Sequence, residues 1–291
     1  MLFSFVLWMQ KKPYREATIR STLACVKSIA RKVVLDNVES VREYIAKAKV
    51  SDSRKCILVD AVARYYDFKA IPFQKPIYRK NQRLPFIPLE REVDDLISGS
   101  GKKVAAFLQL LKETGVRPGE AWALKWTDVD HERLCLTCTP EKNSNPRQLK
   151  ISNRLISMLN TLPKQGRWVF HSEQADPLDS LVKFRKMFDR QRKRCAEKLQ
   201  NPRLLQITFK TFRHFKATMF YHSTKDILAT MNLLGHKNIR NTLVYTHLVN
   251  FESDDYVCKV AKTVEEAKAL VESGFDYVTD VEGIKLFRKR K

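Results

Sequence analysis

Five residues of this chain are suited to acting together on one anion: Arg117, the pair Lys210 and Arg213, His236, and Tyr245. They fall in three short segments. These are T-G-V-R-P-G-E at 114–120, K-T-F-R-H at 210–214, and L-G-H at 234–236 running on to T-L-V-Y-T-H at 242–247. Fixed cations neutralise the charge that builds on phosphoryl oxygens, and a phenol is a nucleophile, so the set has what a metal-free attack on a phosphodiester requires. Taken singly, each residue has a plainer reading. Arg117 could simply pair with Glu120. Lys210, Arg213 and His214, spaced i, i+3, i+4, share one helix face that could be solvated. Cations on one face repel unless an anion sits among them, so the argument rests on the whole set in its local context.

The elements that must position these residues can be read from local patterns. Pro118 begins a helix in the favoured first-turn position, which puts Arg117 at its mouth and Glu120 in its first turn. Before it, Val104, Phe107, Leu108 and Leu111 form a helical stripe. Residues 133–139 and 147–151 predict a β-hairpin around Asn143-Ser144-Asn145-Pro146. Helices are expected at about 152–162, 178–198, 208–222 and 225–234, with a short one near 239–247 carrying Tyr245. Towards the N-terminus, residues 14–31, 38–48 and 52–66 look helical, the last capped by Asp52 and Ser53. Residues 1–70 thus form an all-α unit with Arg15, Arg20, Lys27, Arg31 and Lys32 available for phosphates. Residues 71–87 hold three prolines and several cations and read as a basic linker, in which Arg79, Lys80 and Arg83 could track a DNA backbone. Residues 88–250 make the domain that carries the candidate site. The tail, 251–291, has a helix capped by Thr263 with Glu266, then a hairpin of 275–278 and 284–287 around Glu282-Gly283.

Composition points the same way. Lys and Arg number 54 against 32 Asp and Glu, for a net charge of +22 and a pI near 9.8, the footprint of a polyanion binder. The tail nets −1, which leaves +23 on the first 250 residues and suits the tail to protein contact. The six cysteines are scattered. Cys135 and Cys138 have metal-like spacing but fall on a predicted strand, where i and i+3 face opposite ways, and no second pair accompanies them, so no metal site is expected. Unpaired thiols imply a reducing, cytoplasmic setting. The apolar opening Met1–Met9 is too short to span a bilayer and reads as a packing or oligomer-contact segment; no membrane role is expected.

T-G-V-R-P-G-E-A-W-A-L-K-W-T-D-V-D closely resembles the first conserved box of the tyrosine recombinases, the phage-type integrases. F-K-T-F-R-H-F-K-A-T, followed by L-L-G-H-K-N-I-R-N-T-L-V-Y-T-H, resembles the second. The resemblance covers roughly 88–250, more loosely the α-helical front domain, and the tail looks like those of archaeal members. It implies a mainly α fold with small β-hairpins: an α-helical core-binding (SAM-like) domain followed by a mixed α+β catalytic domain. It further implies that Tyr245 attacks the scissile phosphate to give a 3′-phosphotyrosyl link, that Arg117 and Arg213 clamp the non-bridging oxygens, and that His236 adds a donor. Lys142 would protonate the leaving 5′-oxygen, with Lys150 and, more weakly, Arg147 competing for that role; Glu120 would orient Arg117. No metal, ATP or other cofactor is called for. The partners implied are a double-stranded DNA attachment site and further copies of the chain, from dimer to tetramer. Most members carry His where this chain has Lys210. Neutral imidazole can accept the tyrosine proton, whereas lysine must have its pKa depressed, by Arg213 and burial, to do so; otherwise it only stabilises charge. The leading expectation is an integrase. The rivals are a Xer-like chromosome-dimer resolvase, a type IB topoisomerase, and a catalytically silent DNA-binding protein of the same fold.

Overall fold

The computed structural model describes residues 2–79, 84–141, 144–246, 256–281 and 284–290 and divides into two compact units, residues 1–84 and 85–291. The first is a helical unit: α1 (Leu2–Lys11), α2 (Glu16–Ala30), α3 (Val38–Lys47) and α4 (Asp52–Lys69). The apolar opening is helix α1, which buries Phe5 and Met9. Phe5 packs edge-on against Tyr65 of α4, with ring centroids 5.5 Å apart. The apolar spacing read in α2 is its buried face, with Ile19, Val26 and Ile29 inside and Leu23 packed at the edge. The cap of α4 is Ser51, whose side chain accepts from the Arg54 amide; Asp52 and Ser53, expected as caps, lie within the first turn. Of the linker cations, Arg79 is exposed, and Lys80 and Arg83 lie outside the described residues.

The second unit begins with α5 (Glu90–Ser98), α6 (Lys102–Thr114) and α7 (Pro118–Trp122). A small antiparallel sheet follows, of β1 (Val129–Asp130), β2 (Cys135–Cys138) and β3 (Arg147–Lys150), in the order β1-β2-β3. Strands β2 and β3 pair from Cys135↔Lys150 to Cys138↔Arg147, the hairpin the sequence predicts, and β1 adds an edge. Then come α8 (Asn153–Asn160), α9 (Pro177–Lys198), α10 (Phe209–Thr224), α11 (Ile227–Leu234) and α12 (Arg240–Leu243). The expected stripe on α6 is part of something larger. Residues 104–111 are buried all round the helix, as suits an element at the centre of a core. Phe107 there meets the rings of Trp122, Phe170, Phe184 and Phe209 with centroids 4.9–6.0 Å apart. Because Phe209 opens α10, this aromatic cluster fixes where Lys210, Arg213 and His214 begin.

The tail holds the expected helix and hairpin and adds a strand before them. It is a βαββ module of β4 (Tyr256–Ala261), α13 (Val264–Glu272), β5 (Asp276–Val281) and β6 (Ile284–Arg290), with strand order β4-β6-β5. The anticipated Thr263 cap is present, accepting from the Glu266 amide, and Glu266 accepts in turn from the Lys262 amide. Strand β4 was not foreseen, because a six-residue apolar-polar run has no local signal naming its partner, β6, some 25 residues on. The module has its own small core of Ala261, Phe275 and Phe287. Its predicted turn, Glu282-Gly283, lies outside the described residues.

Candidate active site

Two helix ends and one buried helix build the centre of the site. Helices α6 and α11 both end in a left-handed glycine, Gly115 (φ +62°) and Gly235 (φ +65°), each lying within one of the quoted segments. Arg213, on α10 and only 6% exposed, reaches across to both ends: Nη1 donates to the Gly115 carbonyl at 2.7 Å and Nη2 to the Leu234 carbonyl at 2.6 Å. Helix C-termini carry partial negative charge, so a guanidinium is held here without a carboxylate contact of its own. Burial and the nearby Arg117 lower its pKa to about 10, which leaves it charged at neutral pH. At Gly235 a Cβ would meet Arg147 Nη1 at 2.7 Å and the Asn145 carbonyl at 3.0 Å, so glycine is required there by space as well as by φ.

Arg213 Nη2 also lies 3.0 Å from Nε2 of His236, and His236 Nδ1 lies 2.9 Å from Thr242 Oγ1. A guanidinium only donates, so Nε2 accepts and the ring proton sits on Nδ1, donating to Thr242. Burial, with Arg213 and Arg117 beside it, pushes His236 down to about 4. In this arrangement the ring supports Arg213 and ties it to α12; to donate at Nε2, the role the resemblance implies, it would need a second proton.

Arg117 is the N-cap residue of α7, the helix mouth expected for it. Glu120 accepts from the Arg117 amide at 2.9 Å through Oε2 and from Arg117 Nη1 at 2.9 Å through Oε1. This buried carboxylate holds two further donors that lie too far along the chain for local patterns to indicate. Arg147 Nη2 donates to Oε2 at 2.7 Å and Ser144 Oγ to Oε1 at 2.9 Å. Burial raises the pKa of Glu120, but Arg147, the Arg117 amide and Ser144 outweigh it and hold the carboxyl at about 2. Arg147, weighed as a leaving-group donor, is therefore committed to Glu120. Lys150 is exposed on β3, and Lys142 lies outside the described residues.

Tyr245 sits just past the C-terminus of α12, not on it, and is 3% exposed. Its Oη is 3.0 Å from Nδ1 of His214 on α10. Burial raises the tyrosine pKa, while Arg213 and Arg117 oppose the rise. Burial, then Lys210 and Arg213, lower His214 to about 4. Lys210 itself is exposed at the rim, without the burial that a lysine base would draw on. His214 was read only as one more group on a cationic face; the sole sequence signal for more was its place beside Arg213, one turn after Lys210. Arg117, Lys210, Arg213, His214, His236 and Tyr245 line a single cleft of about 510 Å³. Among the described residues, no cluster of three His, Cys, Asp or Glu side chains is placed to hold a metal, and no helix is long and apolar enough to cross a membrane.

Residues 89–251 match the model of the phage integrase family. The tyrosine recombinase XerC of Bacillus pumilus (strain SAFR-032) is 25% identical over 247 residues, covering 81% of this chain and 76% of that protein. An integrase/recombinase of Escherichia coli is 25% identical over 59% of this chain and 62% of its own length. Among solved structures, the Tn1549 transposon integrase in complex with transposon right-end DNA superposes with a TM-score of 0.63, at 15% identity over 94% of this chain and 98% of that one. A lambda integrase tetramer bound to a Holliday junction gives 0.62, at 16% identity over 84% and 75%. At such identities these two likenesses speak to the fold.

Proposed function

The chain belongs to the phage integrase family, and from that premise we propose that it is a site-specific DNA recombinase that cuts and rejoins DNA through a 3′-phosphotyrosyl intermediate. The observation that carries this reading is the convergence of Tyr245, Arg117, Arg213 and His236 on one cleft from four separate elements. In the proposed reaction Tyr245 Oη attacks the scissile phosphorus, and the bond to the 5′-oxygen breaks. Arg117 and Arg213 hold the non-bridging oxygens, their planar, permanently charged forks matching that geometry. Lys142 supplies the leaving oxygen's proton; its neighbour Glu141 lines the cleft. Glu120 fixes the direction of Arg117, and Lys210 adds positive charge at the rim. Rejoining reverses the attack with another 5′-hydroxyl, so the bond energy is kept and no ATP is required.

The test uses a pool of nicked duplexes with a randomised core, incubated with the protein in EDTA. The expected result is a covalent adduct, stable to denaturation, whose DNA carries the chain's own site and whose modified peptide contains Tyr245. Its absence, with duplex binding intact, would leave a silent DNA-binding protein. A 5′-bridging sulfur, which leaves without a proton, is expected to restore cleavage to Lys142→Ala; no restoration would exclude Lys142 as the acid. Several relatives bear the name XerC, which keeps a resolvase role in view. The captured sequence separates a mobile-element attachment site from a chromosomal dimer-resolution site.

The protein works on double-stranded DNA as dimers and tetramers, in the cytoplasm with the nucleoid. Residues 1–70 and the linker grip the duplex and residues 88–250 perform the chemistry. The near-neutral tail docks on a neighbouring copy. Because the tail has its own core, truncation after Asn250 should spare folding and DNA binding by the monomer and abolish tetramer assembly. Unchanged assembly on DNA, read by sedimentation, would sink the docking role.

A further inference from the structure

The contact between His214 and Tyr245 has no counterpart among the roles assigned so far. We infer that His214 is the general base of this chain, accepting the Tyr245 proton at Nδ1 as the tyrosine attacks the phosphate. This rests on the recombinase reading above. The geometry comes first: Nδ1 and Oη are 3.0 Å apart, within the reach a base requires. The phenol is buried, and a buried hydroxyl needs an acceptor; a neutral imidazole with its hydrogen on Nε2 offers one at Nδ1. Lys210, the residue at the position where the family's histidine would stand, is exposed at the rim of the cleft, whereas His214 is the side chain that touches the phenol oxygen.

The surroundings disfavour proton transfer to His214 until a phosphate is bound. The charged and titratable groups facing His214 are Lys210 and Arg213 from its own helix and Tyr245 from the segment after α12. Arg117, Arg185, Glu141 and His236 line the same cleft. An imidazolium among these cations is disfavoured, and burial adds to the penalty. A bound phosphate brings the missing negative charge, so the basicity of His214 rises when the substrate is in place. In the step itself the Oη–H bond breaks and the proton passes to Nδ1, the Oη–phosphorus bond forms, and the 5′-oxygen leaves with a proton from the acid. Religation returns the proton from Nδ1 to Oη. Nothing is oxidised or reduced.

The experiment measures single-turnover cleavage against pH on the duplex captured by wild-type protein. His214→Asn keeps an acceptor near Oη but cannot take a proton. It is expected to bind DNA normally, to cleave about a hundredfold or more slowly, and to lose the fall in rate that wild type shows as pH drops through the His214 pKa in the complex. His214→Ala is expected to regain activity in proportion to added free-base imidazole, while Lys210→Ala keeps the wild-type low-pH limb. If His214→Asn cleaves at the wild-type rate on the wild-type pH profile, or if imidazole fails to rescue an Ala variant that still binds DNA, His214 is not the base. If the low-pH limb disappears in Lys210→Ala instead, the base is Lys210. No adduct from wild type at all would overturn the recombinase reading and this inference with it, an outcome distinct from an active wild type with an indifferent His214.

Discussion

Tyr245→Phe is expected to form no covalent adduct with DNA while binding it as wild type does. The substitution removes one oxygen from a side chain that is 3% exposed and packed with Ala217 and Leu234. The ring that fills the space is unchanged, so no cavity opens. What is lost besides the nucleophile is the hydrogen bond to His214 Nδ1, and that ring is only half-buried, so its nitrogen can turn to water. Removing one such bond costs roughly 1 kcal/mol, too little to unfold a domain of this size. The expected readout is therefore clean: equal mobility shift, equal melting temperature within a few degrees, and no band on a denaturing gel. A residual adduct would move the nucleophile elsewhere, Tyr221 of α10 and Tyr256 being the nearest alternatives in sequence. Tyr221 is not among the residues lining the cleft, which makes an adduct there hard to reconcile with the rest of the site.

Arg213→Ala and Arg117→Ala are both expected to lower cleavage by about a hundredfold or more, because each removes a charged donor aimed where charge develops. They are expected to differ in stability, and the difference comes from their anchors. Arg213 is the shared donor to the Gly115 and Leu234 carbonyls and to His236 Nε2. Its removal leaves helix-end carbonyls buried without a partner, at roughly 1–3 kcal/mol for each group left unsatisfied. Arg117 has a quarter of its side chain exposed, and the Glu120 carboxylate it leaves behind still has Arg147, Ser144 and the Arg117 amide. Arg213→Ala should therefore melt clearly below wild type and Arg117→Ala close to it, with DNA binding measurable for both below the melting point of the weaker. Equal melting temperatures would mean that water replaces the guanidinium at the two helix ends. Loss of binding in step with loss of rate would make these arginines DNA anchors, with no part in transition-state stabilisation.

Much of the architecture was legible because its signals are local. A proline at the first turn, an apolar period of 3.6 and a capping side chain act over a few residues, and α2, α3, α4, α8, α9, α10 and α11 fall close to the ranges those signals indicate, whereas α1 and α5 were not marked as helices. The errors lie where partners are far apart in sequence. Ser51, not its neighbours, caps α4, since several adjacent side chains could serve and the backbone picks one. Strand β4 was missed because only pairing with β6 defines it. Arg147 resembled a free cation near the hairpin until its partner, Glu120, was placed 27 residues away.

The sequence by itself determined the kind of chemistry and the order of the parts. The residue types of the two boxes, their spacing, and the excess of positive charge on the first 250 residues all bear on a phosphodiester, and none of them depends on knowing a distance. Only the tertiary structure decided which groups touch. It set Arg213 between helix ends 98 and 21 residues distant, gave His236 its tautomer, and put His214 against a tyrosine 31 residues away. The physical reason is the same in each case. Hydrogen bonds and burial shift pKa values over a few ångströms, and that closeness is produced by packing around α6 and α10, where residues remote in sequence become neighbours.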